Sequence, residues 1–172
     1  MIEAHGISAD EVTGIEVGFL PGSEAALVSK NPTTGLDGKF SVEYVAAALL
    51  VDGNLSLDTF SDAMVMRPEI RALMSKVKRY RIEAEGTFSG TIGYTDVAIN
   101  TRRGSFSIRQ EHAPGSPQEP MTPADIREKF MDCSRGFLGE AGARSLLGQL
   151  EKLMTAGNVA DLLRDAFPKA NG

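Results

Sequence analysis

Residues 31 to 53 constrain the fold more than any other stretch, because they set a turn-rich loop directly against a helix with no charge in its body. Pro32, Gly35 and Gly38 break regular structure up to Lys39. Tyr44 to Val51 then runs without a charge, and Asp52-Gly53 supplies a stop signal. A helix that is apolar all round has no face to offer water, so it is expected in the core and buried on every side. The successive small residues Ala46, Ala47 and Ala48 allow neighbouring backbones to approach closely. Tyr44, one turn in from the loop, carries a hydroxyl that needs a partner if buried. The stretch reads as a core helix whose first turn faces a site.

Residues 8 to 19 enter a strand through Gly14, with Val12, Ile15, Val17 and Phe19 as its apolar positions, and Pro21-Gly22 ends it. Residues 56 to 66 read as a short helix with Leu57, Phe60, Ala63 and Met64 on one face, and Pro68 opens another through Ile70, Leu73 and Met74. Strands are expected near 77–84, 94–100 and 105–111, the last two joined by a turn at 101–104. Val97 and Ile99 share one face, as do Phe106 and Ile108, the pattern of an antiparallel sheet covered on one side. The predicted fold class is α+β: a two-layer sandwich of a mostly antiparallel sheet with helices on one face, followed by a C-terminal all-helical segment.

The spacer 112–120 holds three prolines and a glycine, which places a boundary between an α+β domain at 1–120 and a helical segment at 121–172. Thr122-Pro-Ala-Asp125 is a capping box with proline at the first helical position. It launches a helix striped by Ile126, Phe130, Cys133 and Phe137. Leu146, Leu147, Leu150, Leu153 and Met154 stripe a second helix, and Asn158 caps a third carrying Val159, Leu162, Leu163 and Phe167.

A net charge of -5 argues against nucleic-acid binding, since neutralising phosphates needs a basic face. The basic run Lys76, Lys78, Arg79 and Arg81 reads as a solvated face. The first residues show neither an apolar run nor a basic leader, and no segment is long enough to span a membrane, so a soluble cytoplasmic protein is expected. Cys133 is the only cysteine, which excludes an internal disulfide and an iron-sulfur cluster held by cysteines. Its place on an apolar stripe suggests a small buried hydrophobe. Two histidines leave little metal chemistry, and there is no zinc spacing, nucleophile elbow or Walker loop. His5 is expected to be exposed near the terminus. His112 leaves a strand into a loop, where functional groups concentrate. By pattern alone Tyr44 fits a core tyrosine satisfied by a backbone carbonyl, with a site role as the alternative.

The run Thr34-Gly-Leu-Asp-Gly-Lys-Phe-Ser-Val-Glu-Tyr-Val-Ala-Ala-Ala-Leu-Leu-Val-Asp-Gly53 resembles the signature of the MmgE/PrpD family. Phe60 to Val77, with Arg-Pro-Glu-Ile-Arg-Ala-Leu-Met, and Pro120 to Phe130 look like the same family. The resemblance implies the lid, and the return segment after it, of a longer cofactor-independent lyase or isomerase such as 2-methylcitrate dehydratase. Its site would lie between this lid and an N-terminal helical domain that is absent from the sequence. It implies Tyr44 as the catalytic residue of the lid, with Lys39, Ser41 and His112 as substrate-binding candidates and no metal or other cofactor. The implied partners are a small di- or tricarboxylate, the helical domain and further copies of the chain, without nucleic acid or membrane. Such chemistry moves a proton next to a carboxylate, and cations and hydrogen-bond donors hold the anion. Dehydration, decarboxylation and epimerisation are not distinguished, because the deciding groups would lie in the other half. Without that half the chain should be inactive. The alternative is a stand-alone module that binds a carboxylate or a partner protein, or a subunit that completes a helical partner.

Overall fold

The computed structural model describes residues 1–83, 93–155, 158 and 160. The chain divides into two compact units, Met1–Glu119 and Pro120–Gly172, and each is described by itself.

The first unit is built on a four-stranded sheet in the order β2-β1-β3-β4, where β1 is Val12–Phe19, β2 Val77–Arg81, β3 Thr95–Thr101 and β4 Gly104–Gln110. β1 pairs in parallel with β2 and antiparallel with β3, and β3 pairs antiparallel with β4. Parallel neighbours need a long crossover. Here it consists of α2 (Gly35–Gly38), α3 (Val42–Asp52), α4 (Asp62–Val65) and α5 (Pro68–Met74), preceded in the chain by a four-residue α1, Ile2–His5. The sheet is therefore mixed, with two of its three pairings antiparallel, and the class is α+β as the alternation of strands and helices implied.

α3 forms for the reasons visible in its sequence. The hydroxyl of Ser41 accepts from the Tyr44 amide at 3.2 Å, Glu43 lies in the first turn, and Gly53 ends the helix in the left-handed region at φ 78°. Tyr44, Ala47, Ala48 and Leu50 pack with Ile15, Val17 and Phe19 of β1, Val77 of β2 and Ile99 of β3. Ile70, Leu73 and Met74 of α5 complete that core together with Val65. The expectation of burial on every side is corrected in part: Val42, Val45, Ala46, Leu49 and Val51 are only half-buried. The single helix expected over 56–66 is two pieces, a 3₁₀ turn at Asp58–Phe60 and the one-turn α4, because Ser61 is extended between them. Leu57, assigned to its apolar face, is 57% exposed, while Thr59 and Val65 take the buried places. β2 ends at Arg81 rather than near 84, and residues 84–92 lie outside the described residues. His5 is exposed as expected, and its ring lies 4.7 Å from that of Phe106. Arg103 draws the β3–β4 hairpin onto the same terminus, bonding Glu11 and the carbonyls of His5 and Gly6.

In the second unit α6 spans Pro123–Leu150, started by the Thr122–Asp125 capping box and interrupted at Gly139, whose φ of 69° and ψ of 165° are not helical. Two helical stretches meeting at that glycine correspond to the two expected helices, but the second ends at Leu150 and a 3₁₀ turn at Leu153–Thr155 follows. The buried role assigned to Cys133 is overturned, for its thiol is exposed. Ile126 and Phe137 of the same stripe are 55% and 79% exposed. The Asn158 side chain accepts from the Ala160 amide at 2.9 Å, as a cap does, but the stripe of the third expected helix lies outside the described residues.

Two glycines of the first unit differ in what surrounds them. A Cβ on Gly35 would lie 2.0 Å from the backbone carbonyl oxygen of Phe60, whereas one on Gly18 would meet only the tip of the Tyr80 ring, which is 44% exposed and can swing aside. Gly35→Ala should therefore destabilise by about 1–3 kcal/mol and Gly18→Ala by under about 1 kcal/mol, measured by denaturant unfolding. Equal costs would contradict the packing.

Candidate functional site

The loop from 20 to 40 is held down by side chains of rigid elements. Arg71 of α5 donates to the carbonyl of Pro32 at 2.8 Å and to the side-chain oxygen of Asn31. Arg79 of β2 donates to the carbonyls of Leu27 and Ser29, and its Nε and Nη2 grip Glu43 of α3 at 2.7 and 2.5 Å. Asp62 accepts from the Gly35 amide at 2.7 Å. The short α2 is capped by Thr34, whose hydroxyl accepts from the Asp37 amide at 3.1 Å. Its last residue, Gly38, lies on the Tyr44 ring, so that a Cβ there would be 2.9 Å from it.

Under that loop the Tyr44 side chain is fully buried. Its hydroxyl donates to the carbonyl of Thr59, and Phe60 meets its ring edge-on with centroids 6.1 Å apart. Burial pushes the phenol above its ordinary pKa, only partly offset by the Arg67 guanidinium. Tyr44 is thus a neutral hydrogen-bond donor rather than a base. Ser41, equally buried, caps α3 and donates to Glu43 at 3.2 Å. Lys39, two residues before that cap, is exposed, and its ammonium has no hydrogen-bond or ion-pair partner among the described residues. Leu36, Phe40 and Leu57 are 67%, 43% and 57% exposed, so a free cation and bare apolar side chains share the loop side of α3.

The structure brings Lys39, Ser41 and Tyr44 to one end of α3 and leaves His112 apart. Gln110, at the end of β4, shares a cavity with Leu49, Leu50 and Gly53 from the other end of α3, and its side chain donates to the His112 carbonyl at 2.6 Å. The eleven residues of α3 separate those ends by about 16 Å. Among the described residues no group of three His, Cys, Asp or Glu side chains could hold a metal ion, and no helix is long and apolar enough to cross a membrane.

The residues missed from sequence are Arg79 and Glu43. The basic run was expected to be a solvated face, and this is corrected in part: Lys78 and Arg81 are exposed, but Lys76 and Arg79 are not. Lys76 donates to the Val12 carbonyl at 2.6 Å, and the Arg79 side chain is only 15% exposed. The available signal was period two: Arg79 follows Val77 onto the covered face of β2.

The domain is thus a mixed-sheet α+β fold whose loop is tied over a buried tyrosine, with the exposed Lys39 beside it. The chain belongs to the MmgE/PrpD family: residues 1–152 match the MmgE/PrpD C-terminal domain. It is 27% identical to human cis-aconitate decarboxylase over 141 residues, covering 80% of this chain and 29% of that protein. It is 29% identical to the mouse cis-aconitate decarboxylase over 123 residues, covering 71% of this chain and 25% of that protein. The chain therefore spans less than a third of the length of either relative.

Glu43 and Arg79 are 9% and 15% exposed, and among the described residues Glu43 is the only carboxylate gripping that guanidinium. Glu43→Gln leaves the cation enclosed without a counter-charge, so unfolding free energy should fall by about 3 kcal/mol. Asp96→Ala, which breaks the more exposed Arg109 pair, should cost under about 1 kcal/mol. Chemical denaturation of both variants checks the order, and similar losses would contradict it.

Proposed function

We propose that the chain is the C-terminal, site-covering part of a cofactor-independent lyase or isomerase that acts on small di- or tricarboxylates by moving a proton next to a carboxylate. One observation carries this reading: nearly the whole chain matches the C-terminal domain of a family in which the relatives found are cis-aconitate decarboxylases. Those names make a tricarboxylate the first substrate to try. Lys39, unpaired at the start of α3, supplies a cation for the anion, and Ser41 shapes the helix start that presents it. Tyr44 supplies a neutral phenol that can give a hydrogen bond or a proton once it exchanges the Thr59 carbonyl for substrate. The exposed apolar side chains around Lys39 suit a surface closed against a helical partner domain, which excludes water from the reaction. This reading gives no role to His112, whose carbonyl accepts from Gln110 beside the other end of α3.

The opposing reading is a stand-alone module, and the observation in its favour is that the Tyr44 and Ser41 hydroxyls are already partnered inside the domain. Two measurements decide between them. The isolated chain should not turn over cis-aconitate, because the remaining acid and base groups come from elsewhere, and robust turnover would sink the proposal. In an enzyme complete with a helical partner domain, Tyr44→Phe should lower stability by no more than about 0.5–1.5 kcal/mol, the worth of one hydrogen bond. Turnover should fall by about 100-fold to 10,000-fold if the phenol takes part in proton transfer. A variant that melts earlier but turns over normally returns Tyr44 to a purely structural role.

A further inference from the structure

The face of the sheet turned away from the helices carries a polar depression at the start of β1. Ile15, Val77 and Ile99 pack into the core, so alternation turns their neighbours Gly14, Glu16, Lys78 and Asn100 to this opposite face. The pairing of β1 with β3 slips here: Val12 faces Thr101 and Gly14 faces Asn100, which leaves Thr13 as a bulge. The walls of the depression include Gly14, Glu16, Lys76, Lys78 and Asn100, and its volume is about 330 Å³. That is the lower end of the size range of small-molecule sites, about 300–1,000 Å³. Neither backbone nor packing demands glycine at its floor. Gly14 has no left-handed φ, and a Cβ there would meet only Asn100, at an ordinary 3.6 Å. Its missing side chain leaves room over the strand.

The donors in this depression outnumber the acceptors that answer them. Lys76 is half-buried, and its ammonium donates to the Val12 carbonyl at the bulge at 2.6 Å. Among the described residues it meets no carboxylate, and its other two N–H groups have no partner. A cation drawn partly out of water is costly without a counter-charge, and the half-buried Arg67 and Arg79 each hold a carboxylate. The Lys78 ammonium and the Asn100 side chain are likewise without partners among the described residues. Glu16 stands opposite Lys78 in the parallel pairing, yet the two form no ion pair. Two cations and an amide thus face one acid.

We propose that this depression binds a small oxoanion, a carboxylate or a phosphate, over Gly14. Lys76 supplies a charge fixed in advance, because the Val12 carbonyl holds its ammonium beside the bulge. Such a cation spends little entropy when the anion arrives, and charge-assisted hydrogen bonds are the strong ones. The Asn100 amide offers a neutral donor from the β3 side of Gly14. Lys78, exposed and free to swing, closes over the ligand from the β2 side. Glu16 limits the charge that the site accepts and disfavours a crowded polyanion. Tyr44 packs on the other face of the sheet, so this site does not rest on a role for that residue.

Nuclear magnetic resonance of the isotope-labelled 172-residue chain tests this, by titration with inorganic phosphate and with succinate at constant ionic strength set by sodium chloride. The expected result is a saturable shift of the Gly14 and Ile15 amides and of the Asn100 side-chain amide, and the anion that binds more tightly identifies the group recognised. Lys78 and Glu16 are exposed, so Lys78→Gln and Glu16→Gln should keep the fold, verified by circular dichroism and melting temperature. Their effects should be opposite: Lys78→Gln weakens binding about twofold to fivefold and Glu16→Gln tightens it by a similar factor, the worth of one exposed charge. Gly14→Val fills the floor and should abolish the shifts. An absence of saturable shifts with both anions throughout the millimolar range overturns the proposal. So do shifts that persist in folded Gly14→Val, or that respond alike to the two charge variants, which mark a general salt effect.

Discussion

The guanidinium of Arg79 ties together three parts of the domain that are distant in sequence. It sits on β2, grips Glu43 in the first turn of α3 and caps the carbonyls of Leu27 and Ser29 in the loop. A half-buried cation is tolerable when it is paired and hydrogen-bonded, and here four hydrogen bonds go to a carboxylate and two main-chain oxygens. In return the loop carbonyls, which belong to no ladder or helix, acquire partners away from water. The position of α3 along the sheet follows from the same contact. With Glu43 fixed over β2, the other end of the helix reaches the cavity beside β3 and β4.

The central place of β1 explains why the two faces of the sheet differ. Its inward residues Ile15, Val17 and Phe19 meet α3 and α5, whereas Glu16 and Gly18 turn outwards. On the outer face polarity is balanced laterally rather than by burial. Asp96 and Arg109 pair across β3 and β4, and the Tyr80 ring crosses above Gly18, where any side chain would displace it. Arg109 holds Asp96 well below the usual carboxylate range through direct hydrogen bonds, yet the pair is open to solvent and contributes little stability.

Much of the fold was legible because its signals are local. Gly53, Pro68 and the Thr122 capping box each act within a turn of where they stand, and each lies at an element boundary in the structure, whereas Gly35 and Gly38, expected to break regular structure, bound the one-turn α2. What was not legible depends on contacts distant in sequence. The acceptor of the Tyr44 hydroxyl lies 15 residues away and that of the Arg79 guanidinium 36 residues away, and periodicity does not report such distances. Cys133 misled because an apolar stripe announces only what a helix could bury. α6 leaves Cys133 and Phe137 open, and Gly139 breaks the helix immediately afterwards. Of the candidate site, Lys39, Ser41 and Tyr44 follow from one loop-helix junction. His112 was joined to them by its place at a strand end and by resemblance, and its carbonyl accepts from Gln110, which lines the cavity at the other end of α3.

The junction also limits the chemistry available there. Leu27, Ser29, Asn31, Pro32 and Gly35 are each fixed by a side chain from a strand or helix, so the backbone up to Lys39 is ordered by folding rather than by a ligand. A donor or cation fixed in advance loses little entropy when an anion arrives, which is the condition for electrostatic stabilisation of a developing charge. The lysine side chain alone remains free to swing. Tyr44 is the opposite case, since its ring is clamped between Gly38 and Phe60 and its phenol is kept neutral by burial. Its hydroxyl proton is directed at the Thr59 carbonyl. Thr59 is itself held by a bond from the Ser56 amide to its hydroxyl at 3.0 Å. Any exchange of acceptor at Tyr44 thus requires the 3₁₀ turn at Asp58–Phe60 to shift, and that turn, not α3, is the element on which access to the hydroxyl depends.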